Sequence, residues 1–352
     1  MAYRKYKLGD LVEQYDEINQ NGEFTKIEDL QGINSNKYFQ ECKSNKNDIN
    51  LLRYRICRHG MFSYNRATSR NGEKISIALR TGDDCLVSPS YYCFRIKDEE
   101  VLCPEYLDIW FKRPVFDKYA RFNSWGSATE FFTFDDFCAT EIMLPPLPEQ
   151  RKIVHDYQVI TDRIELLRKM NENLESFLSA RFSQLRANAT SRDKTTLETL
   201  ISFGNGKSRP SSVGCIPVYG GNGILSYTDC SNAENVVIIG RVGAYCGSVY
   251  IEESSCWVSD NAMVAKSKIS ADEYFDYFLL KWFNLYDYHV GTGQQLLTQG
   301  ILNSLECLSF HVDEIEAFNQ ESKPVFSRIN ANKREIEMLT ELSSILLSRL
   351  SH

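Results

Sequence analysis

Residues 149–186 read EQRKIVHDYQVITDRIELLRKMNENLESFLSARFSQLR, and the spacing of their apolar residues decides the architecture. Ile160, Ile164, Leu167, Asn171, Leu174, Leu178, Arg181 and Leu185 fall in alternating steps of four and three, the heptad spacing of a coiled-coil seam. The pattern predicts one long helix from about Glu149 to Arg186. A second seam, Val325, Ile329, Asn332, Ile336, Leu339, Ser343, Leu346 and Leu350, predicts another from about Glu314 to Leu350. At about 1.5 Å per residue each helix is on the order of 55 Å long. Both seams hold an asparagine, Asn171 and Asn332. A polar seam residue costs stability and can fix register and partner number. The helices can pair with each other or with another chain; the first is simpler for two matching copies.

A constant offset of 165 positions relates the two seams: Arg163-Ile164 meets Arg328-Ile329, Leu174 meets Leu339 and Leu185 meets Leu350. The offset continues upstream, pairing Gly126 with Gly291, Thr133 with Thr298 and Glu141 with Glu306. Glu105-Tyr-Leu-Asp108 also resembles Glu273-Tyr-Phe-Asp276, each opening an aromatic-rich helix. Sliding two heptads into register by chance explains the leucines but not these upstream matches. The reading is therefore an internally duplicated chain of mixed α/β (α+β) class: a globular domain over 1–145, a spacer helix over 146–187, a second globular domain over 188–312 and a second spacer helix over 313–352. A polar stretch from Asn188 to Thr196 closes the first unit. Ser90–Ile96 alternates like a strand, and Val236–Ile239 reads as a short buried strand. Pro104–Tyr119 and Asp272–Asn284 read as helices.

No apolar run approaches the roughly 18 residues of a membrane span, and MAYRKYKLGD at the N-terminus has no signal-peptide core. A cytoplasmic protein is expected. The eleven cysteines include no CxxC pair, the five histidines no HxxxH or HExxH, so no metal site is expected. Gly204-Asn-Gly-Lys-Ser208 resembles half a phosphate loop, but Ile201 stands where the first glycine belongs and Arg209-Pro210 starts a helix poorly. There is no GxSxG elbow and no Asn-Pro-Pro-aromatic box. No catalytic residue is assigned.

The net charge of −7 argues against a simple DNA-coating protein. Yet Ile49–Gly72 holds five arginines, Arg53, Arg55, Arg58, Arg66 and Arg70, and no acid. A local basic face on an acidic body suits contact with DNA on one side and with other subunits elsewhere. Candidate DNA-binding residues in the first domain are Arg58, Ser63, Tyr64, Asn65, Arg66, Thr68, Ser69 and Arg70, which interleave cations, hydroxyls and an amide with aromatics. The second domain offers Asn205, Lys207, Arg209, Tyr219, Asn222, Tyr227, Arg241, Tyr245, Asn261, Gln294 and Gln295. Asn and Gln can bond bidentately to adenine and Arg to guanine, while glycines let backbone approach phosphate.

Phe62-Ser-Tyr-Asn65 with Ser69-Arg70, Ile75-Ser-Ile-Ala78 and Val87-Ser-Pro89-x-Tyr91 resembles a target recognition domain of type I restriction-modification specificity subunits. So does Pro217-Val-Tyr-Gly-Gly-Asn-Gly-Ile224 with Ile239-Gly-Arg-Val-Gly-Ala-Tyr245 and Trp257-Val-Ser-Asp-Asn261. Leu144-Pro-Pro-Leu-Pro148-Glu149-Gln150-Arg-Lys-Ile153 resembles the joint that leads into the family's spacer helix. The second copy, Ser309-Phe-His-Val-Asp313-Glu-Ile315, lacks the prolines and glutamine. The resemblance implies two recognition domains held apart by an antiparallel helix pair, each reading one half of a split double-stranded DNA target. It also implies docking of two methyltransferase subunits, for which Pro148, Glu149, Gln150, Arg163 and Arg328 are candidate contacts. S-adenosylmethionine belongs to those subunits, and Mg and ATP to partner subunits that include restriction/translocase motors; this chain carries no cofactor and no catalysis. Two other classes stay open: a fused methylase-nuclease enzyme, and a coiled-coil scaffold with domains that bind sugar or protein.

Overall fold

The computed structural model describes residues 3–42, 49–68, 74–126, 129–189, 193–291 and 293–350. The chain divides into two compact units. Unit 1 comprises Met1–Leu166 with Ile336–His352, and unit 2 comprises Leu167–Glu335. The division cuts both long helices near their midpoints, so each unit owns half of each.

In chain order unit 1 runs β1 (Arg4–Lys7), α1 (Leu8–Leu11), β2 (Val12–Tyr15), β3 (Gln31–Ile33), β4 (Phe39–Glu41), β5 (Arg55–Cys57), β6 (Phe62–Asn65), β7 (Ile77–Leu79), β8 (Cys85–Val87), β9 (Tyr91–Ile96), α2 (Pro104–Phe111), α3 (Pro114–Phe122), α4 (Phe134–Cys138), β10 (Glu141–Leu144) and the start of α5 (Leu147–Ala187). The main sheet has the order β2-β9-β6-β7, and β1 pairs antiparallel with β10. The core is aromatic: Phe62 stacks on Phe94 at 5.0 Å between ring centroids, and Phe137 lies 4.8 Å from Phe94 and 5.2 Å from Tyr64. A fully buried Phe contributes about 1.5–3 kcal/mol, so this cluster is a main source of the unit's stability. The helix expected over Pro104–Tyr119 is two helices. Pro114 has no N–H to continue the first, and Arg113 before it is extended, with φ −71° and ψ 136°.

Unit 2 continues with β11 (Lys194–Thr196), α6 (Leu197–Leu200), β12 (Ile201–Asn205), β13 (Ile216–Gly220), β14 (Gly223–Thr228), β15 (Ala233–Gly240), β16 (Val249–Val258), β17 (Ala262–Ser267), α7 (Tyr274–Trp282), α8 (Gln299–Ser304), β18 (Glu306–Leu308) and α9 (Val312–Arg349). Six strands form one sheet in the order β12-β17-β15-β16-β13-β14. The apolar run Val236–Ile239 is fully buried in β15 because that strand is central and covered on both faces.

Both long helices begin and end within two residues of the heptad reading. In unit 2 they lie antiparallel: Asn171 of α5 meets Asn332 of α9, and Arg181 meets Glu321 at 2.7 Å. The Asn332 amide donates to Asn171 Oδ1 at 2.8 Å, with Asn332 only 1% exposed. In unit 1, Ile153 and Leu147 pack with Leu347 and Leu350 against the aromatic core.

A buried amide on a long helix docks the aromatic helix in each unit. Gln150, 0% exposed, accepts from Cys103 N at 2.9 Å and donates to the carbonyls of Val101 and Pro145. Asn319, also 0% exposed, accepts from Phe275 N at 2.8 Å and donates to Ser270 Oγ and the Asp272 carbonyl.

The two Glu-Tyr-x-Asp motifs end in different environments. Asp108 pairs with Lys112 at 2.7 Å and accepts from Leu79 N. Glu273 and Asp276 are buried, and one oxygen of each has no partner. Burial pushes Glu273 up to about 8 and Asp276 up to about 7. Their ordinary values are 4.5 and 3.8, so the folded state binds more protons, and stability is lost as pH rises from about 4 through about 8. The Glu273→Gln variant is expected to gain stability over the wild type at pH 8 and to lose that gain at pH 4. Urea unfolding at both pH values checks this, and a pH-independent difference would contradict it.

Candidate nucleic-acid interface

At one place in unit 2 four loops converge. The β13–β14 hairpin tip holds Gly221-Asn222, the β15–β16 connection spans 241–248, the β16–β17 turn holds Ser259–Asn261, and the fourth segment holds Gln294–Leu297. Arg241 N donates to Asn261 O at 2.9 Å, Leu297 N to Arg241 O at 2.9 Å, and Gly243 N to Gln295 O at 3.0 Å. Ser248 Oγ donates to Gly221 O, tying the hairpin tip to the 241–248 loop. Gly240 is required here, because a Cβ would collide with the Tyr245 carbonyl and Ser248 Oγ. Lys207 joins the group through a bridge to Ser259, and Asn205 pairs with Met263 at the sheet edge. The fold therefore brings together Asn205, Lys207, Asn222, Arg241, Tyr245, Asn261, Gln294 and Gln295. Of these, Arg241 and Gln295 are half-buried and the rest exposed. Tyr227 stands apart on the outer strand β14, and Arg209, in the β12–β13 connection, lies against that strand and donates to Ser226 Oγ at 3.2 Å. Tyr219 is not available to a ligand: it is buried, and its hydroxyl donates to Glu252 at 2.9 Å.

Unit 1 corrects more of the sequence reading. Two arginines of the acid-free stretch are paired with acids within the fold, while Arg53 is exposed. Arg55 pairs with Asp16, while Arg58 is gripped by Glu17, Glu23 and Asp84 at 2.6, 2.5 and 3.0 Å. These acids come from other segments that fold back over it. Hydrogen bonds from Arg58 hold the Glu17 and Glu23 carboxyls below their ordinary range; Asp84 is held down first by the His59 N–H and then by Arg58. Ser63 and Tyr64 lie in β6 inside the core, Ser63 Oγ donating to the Tyr92 carbonyl and Tyr64 OH to the Phe132 carbonyl. Burial raises the Tyr64 hydroxyl far above its ordinary value. Thr68 is buried and donates to the Glu130 carbonyl. Asn65 accepts from Ala67 N and shapes the turn out of β6. Arg66 remains, half-buried, with its guanidinium over Phe131 at 5.2 Å and Tyr92 at 5.9 Å. Ser69 and Arg70 lie outside the described residues.

Sequence reasoning missed Trp125 and Phe131, which are 69% and 36% exposed; Phe131 lies against Arg66 and pairs with Trp125. The signal was the glycine match at 126 and 291, whose neighbours close the same small loop in each unit. Trp125 and Phe131 exchange backbone bonds of 3.1 and 2.9 Å, and Val290 and Leu296 exchange bonds of 2.9 Å. Gly126 and Gly291 take φ of 151° and 94° within these loops.

Among the candidate partner contacts, Pro148, Glu149 and Arg328 are exposed and Arg163 is half-buried. Gln150 is not available, because both its amide groups are spent on the internal bonds that dock α2.

Residues 3–176 match the family model of the type I restriction modification DNA specificity domain. The fold is that of the type I restriction-modification system S subunit from M. genitalium, with TM-score 0.67 and 15% identity over 99% of this chain and 96% of that one. The HsdS subunit from Thermoanaerobacter tengcongensis matches at TM-score 0.40 and 17% identity, covering 99% of this chain and 96% of that one. No curated protein matches the chain.

Because Arg58 is held by three part-exposed carboxylates, its loss leaves them without the cation they share. Arg58→Ala is expected to cost about 1–2 kcal/mol of stability at pH 7. The cost shrinks below about pH 4, where the carboxylates protonate and the wild type loses the same stabilisation. Urea unfolding of both proteins at pH 7 and pH 3.5 measures it. An Arg58→Ala protein as stable as the wild type at pH 7 would refute the structural role.

Proposed function

This chain belongs to the type I restriction-modification DNA-specificity family and is a DNA sequence-recognition subunit, and we propose that its two units each read one half of a split double-stranded DNA target. One observation carries the reading: the two units repeat one backbone frame. Leu8 N donates to Thr140 O in unit 1 and Leu197 N to Leu305 O in unit 2, both at 2.9 Å. The side chain of Thr133 caps α4 and that of Thr298 caps α8. β1 pairs with β10 as β11 pairs with β18. Two copies of one frame, each built onto half of the same helix pair, suit two similar tasks on two stretches of DNA.

In this proposal the recognition domains occupy 1–145 and 188–312, and the helices at 146–187 and 313–352 form an antiparallel coiled coil that sets the gap between the half-sites. The chain itself catalyses nothing. Two methyltransferase subunits dock on it with S-adenosylmethionine, touching Pro148, Glu149, Arg163 and Arg328. Restriction/translocase subunits join them, Mg and ATP are bound by partner subunits, and the complex works in the cytoplasm. No helix among the described residues is long and apolar enough to cross a membrane.

The test uses the full chain, co-expressed with its methyltransferase in a host without other DNA methylation, and reads the methylated motif by sequencing. Replacing residues 1–145 by another recognition domain is expected to change one half of the motif only. Adding one heptad to both helices lengthens each by about 10 Å and widens the gap by about three base pairs. A swap that changes both halves, or a longer helix pair that leaves the gap as it was, would overturn the proposal.

A further inference from the structure

Arg66 and Arg241 occupy the same place in the two units, bond for bond. Arg66 O accepts from Phe132 N at 2.8 Å, Ala67 bridges to Phe131, and Thr68 N donates to Glu130 O at 3.0 Å. Arg241 O accepts from Leu297 N at 2.9 Å, Val242 bridges to Leu296, and Gly243 N donates to Gln295 O at 3.0 Å. Phe131 and Leu296, like Phe132 and Leu297 and like Glu130 and Gln295, are related by the offset that relates the helix seams. The two arginines are 175 positions apart, not 165, so no single sliding of the sequence aligns them. Their neighbours also differ: Asn65 and Ala67 flank one, Gly240 and Val242 the other.

What the two positions share is a guanidinium whose Nε is unpaired. The Nε of each is buried without a hydrogen-bond acceptor. Among the described residues neither arginine has a carboxylate within ion-pair distance, in a chain with 47 acids against 40 lysines and arginines. Arg58, eight positions before Arg66, takes three carboxylates. A buried donor left unpaired destabilises the fold, so neither guanidinium is held in place by hydrogen bonds at its Nε. The guanidinium of Arg66 lies against the rings of Phe131 and Tyr92. The backbone of each arginine is clamped on both sides by the bonds above. A guanidinium presents its donors as a planar fork, which fits a guanine edge and a phosphate alike.

We infer that Arg66 and Arg241 are matched specificity-determining residues, one per unit, each donating its guanidinium fork to a guanine edge in its own half of the target. This rests on the split-target reading proposed above. Trp125, exposed and paired with Phe131, has Val290 as its counterpart, so the two loops differ in the side chain they expose at that position.

The experiment places Arg66→Gln and Arg241→Gln separately in the full chain with its methyltransferase. It maps the methylated motif and measures binding to matched and singly mismatched duplexes across salt concentrations. Arg66→Gln is expected to relax one guanine position in one half-site and Arg241→Gln one in the other. Affinity for the matched duplex should fall roughly tenfold to a hundredfold, with the salt slope unchanged. Arg→Lys variants keep the charge and the stem but lose the fork, and they should show the same half-specific loss if a Gln variant fails to fold. Weakening on all sequences with a salt slope lower by about one would make the arginines phosphate anchors and overturn the inference. So would motifs left intact by both variants. A wild-type motif that is not split would instead refute the parent reading.

Discussion

One hydrogen bond constrains the rest of this structure, that from the Asn332 amide to Asn171 Oδ1 in the middle of the helix seam. Around it the seam is apolar, with Leu167, Leu178 and Ile329 buried. An amide in such a place is tolerated only when it meets a group of matching polarity, and each one left unpaired costs about 1–3 kcal/mol. Leucines alone would accept several registers seven residues apart; the asparagine pair accepts one. That register determines which half of α9 lies against which half of α5, and so which stretch of each helix each globular portion is built upon.

The globular portions then fasten to the helices by polar hooks of the same kind. Gln150 takes hold of the backbone at Val101 and Cys103, and Asn319 of the backbone at Asp272 and Phe275. Gln150 bonds main chain alone, and Asn319 adds to its main-chain bonds one to the Ser270 hydroxyl. The offset that matches the seams would place the second hook at Ile315, but it lies at Asn319, one helical turn further along and on the same helix face.

Most of the frame was legible because it depends on periodicity. The heptads located both long helices, and the run Val236–Ile239 marked the central strand of the larger sheet. Pro114 breaks the first aromatic helix by a rule that sequence alone contains, and the expectation of one continuous helix there ignored it. The interface was less legible, because a basic stretch reads as a basic face only if its acids are local. Glu17, Glu23 and Asp84 are 41, 35 and 26 positions from Arg58, and no local pattern announces that they meet it. Phe62-Ser-Tyr-Asn65 likewise combines aromatics and polar groups as a DNA-facing loop does, yet β6 lies between β9 and β7 and turns three of those four residues inward. In unit 2 the expected residues scatter over ninety positions of sequence, and strand pairing alone gathers most of them at one set of loops.

The placement of Gln150 on α5, outside the globular portion it secures, bears on how such a protein can be rebuilt. A foreign globular portion joined just before α5 finds its fastening already on the host helix. At that point its fit calls for one free N–H and two free carbonyls at the correct spacing, groups that almost any sequence supplies, together with apolar side chains to meet Leu147, Ile153 and Val154. The helix pair thus works as a socket, and compatibility is a matter of main-chain geometry more than of shared ancestry between plug and socket.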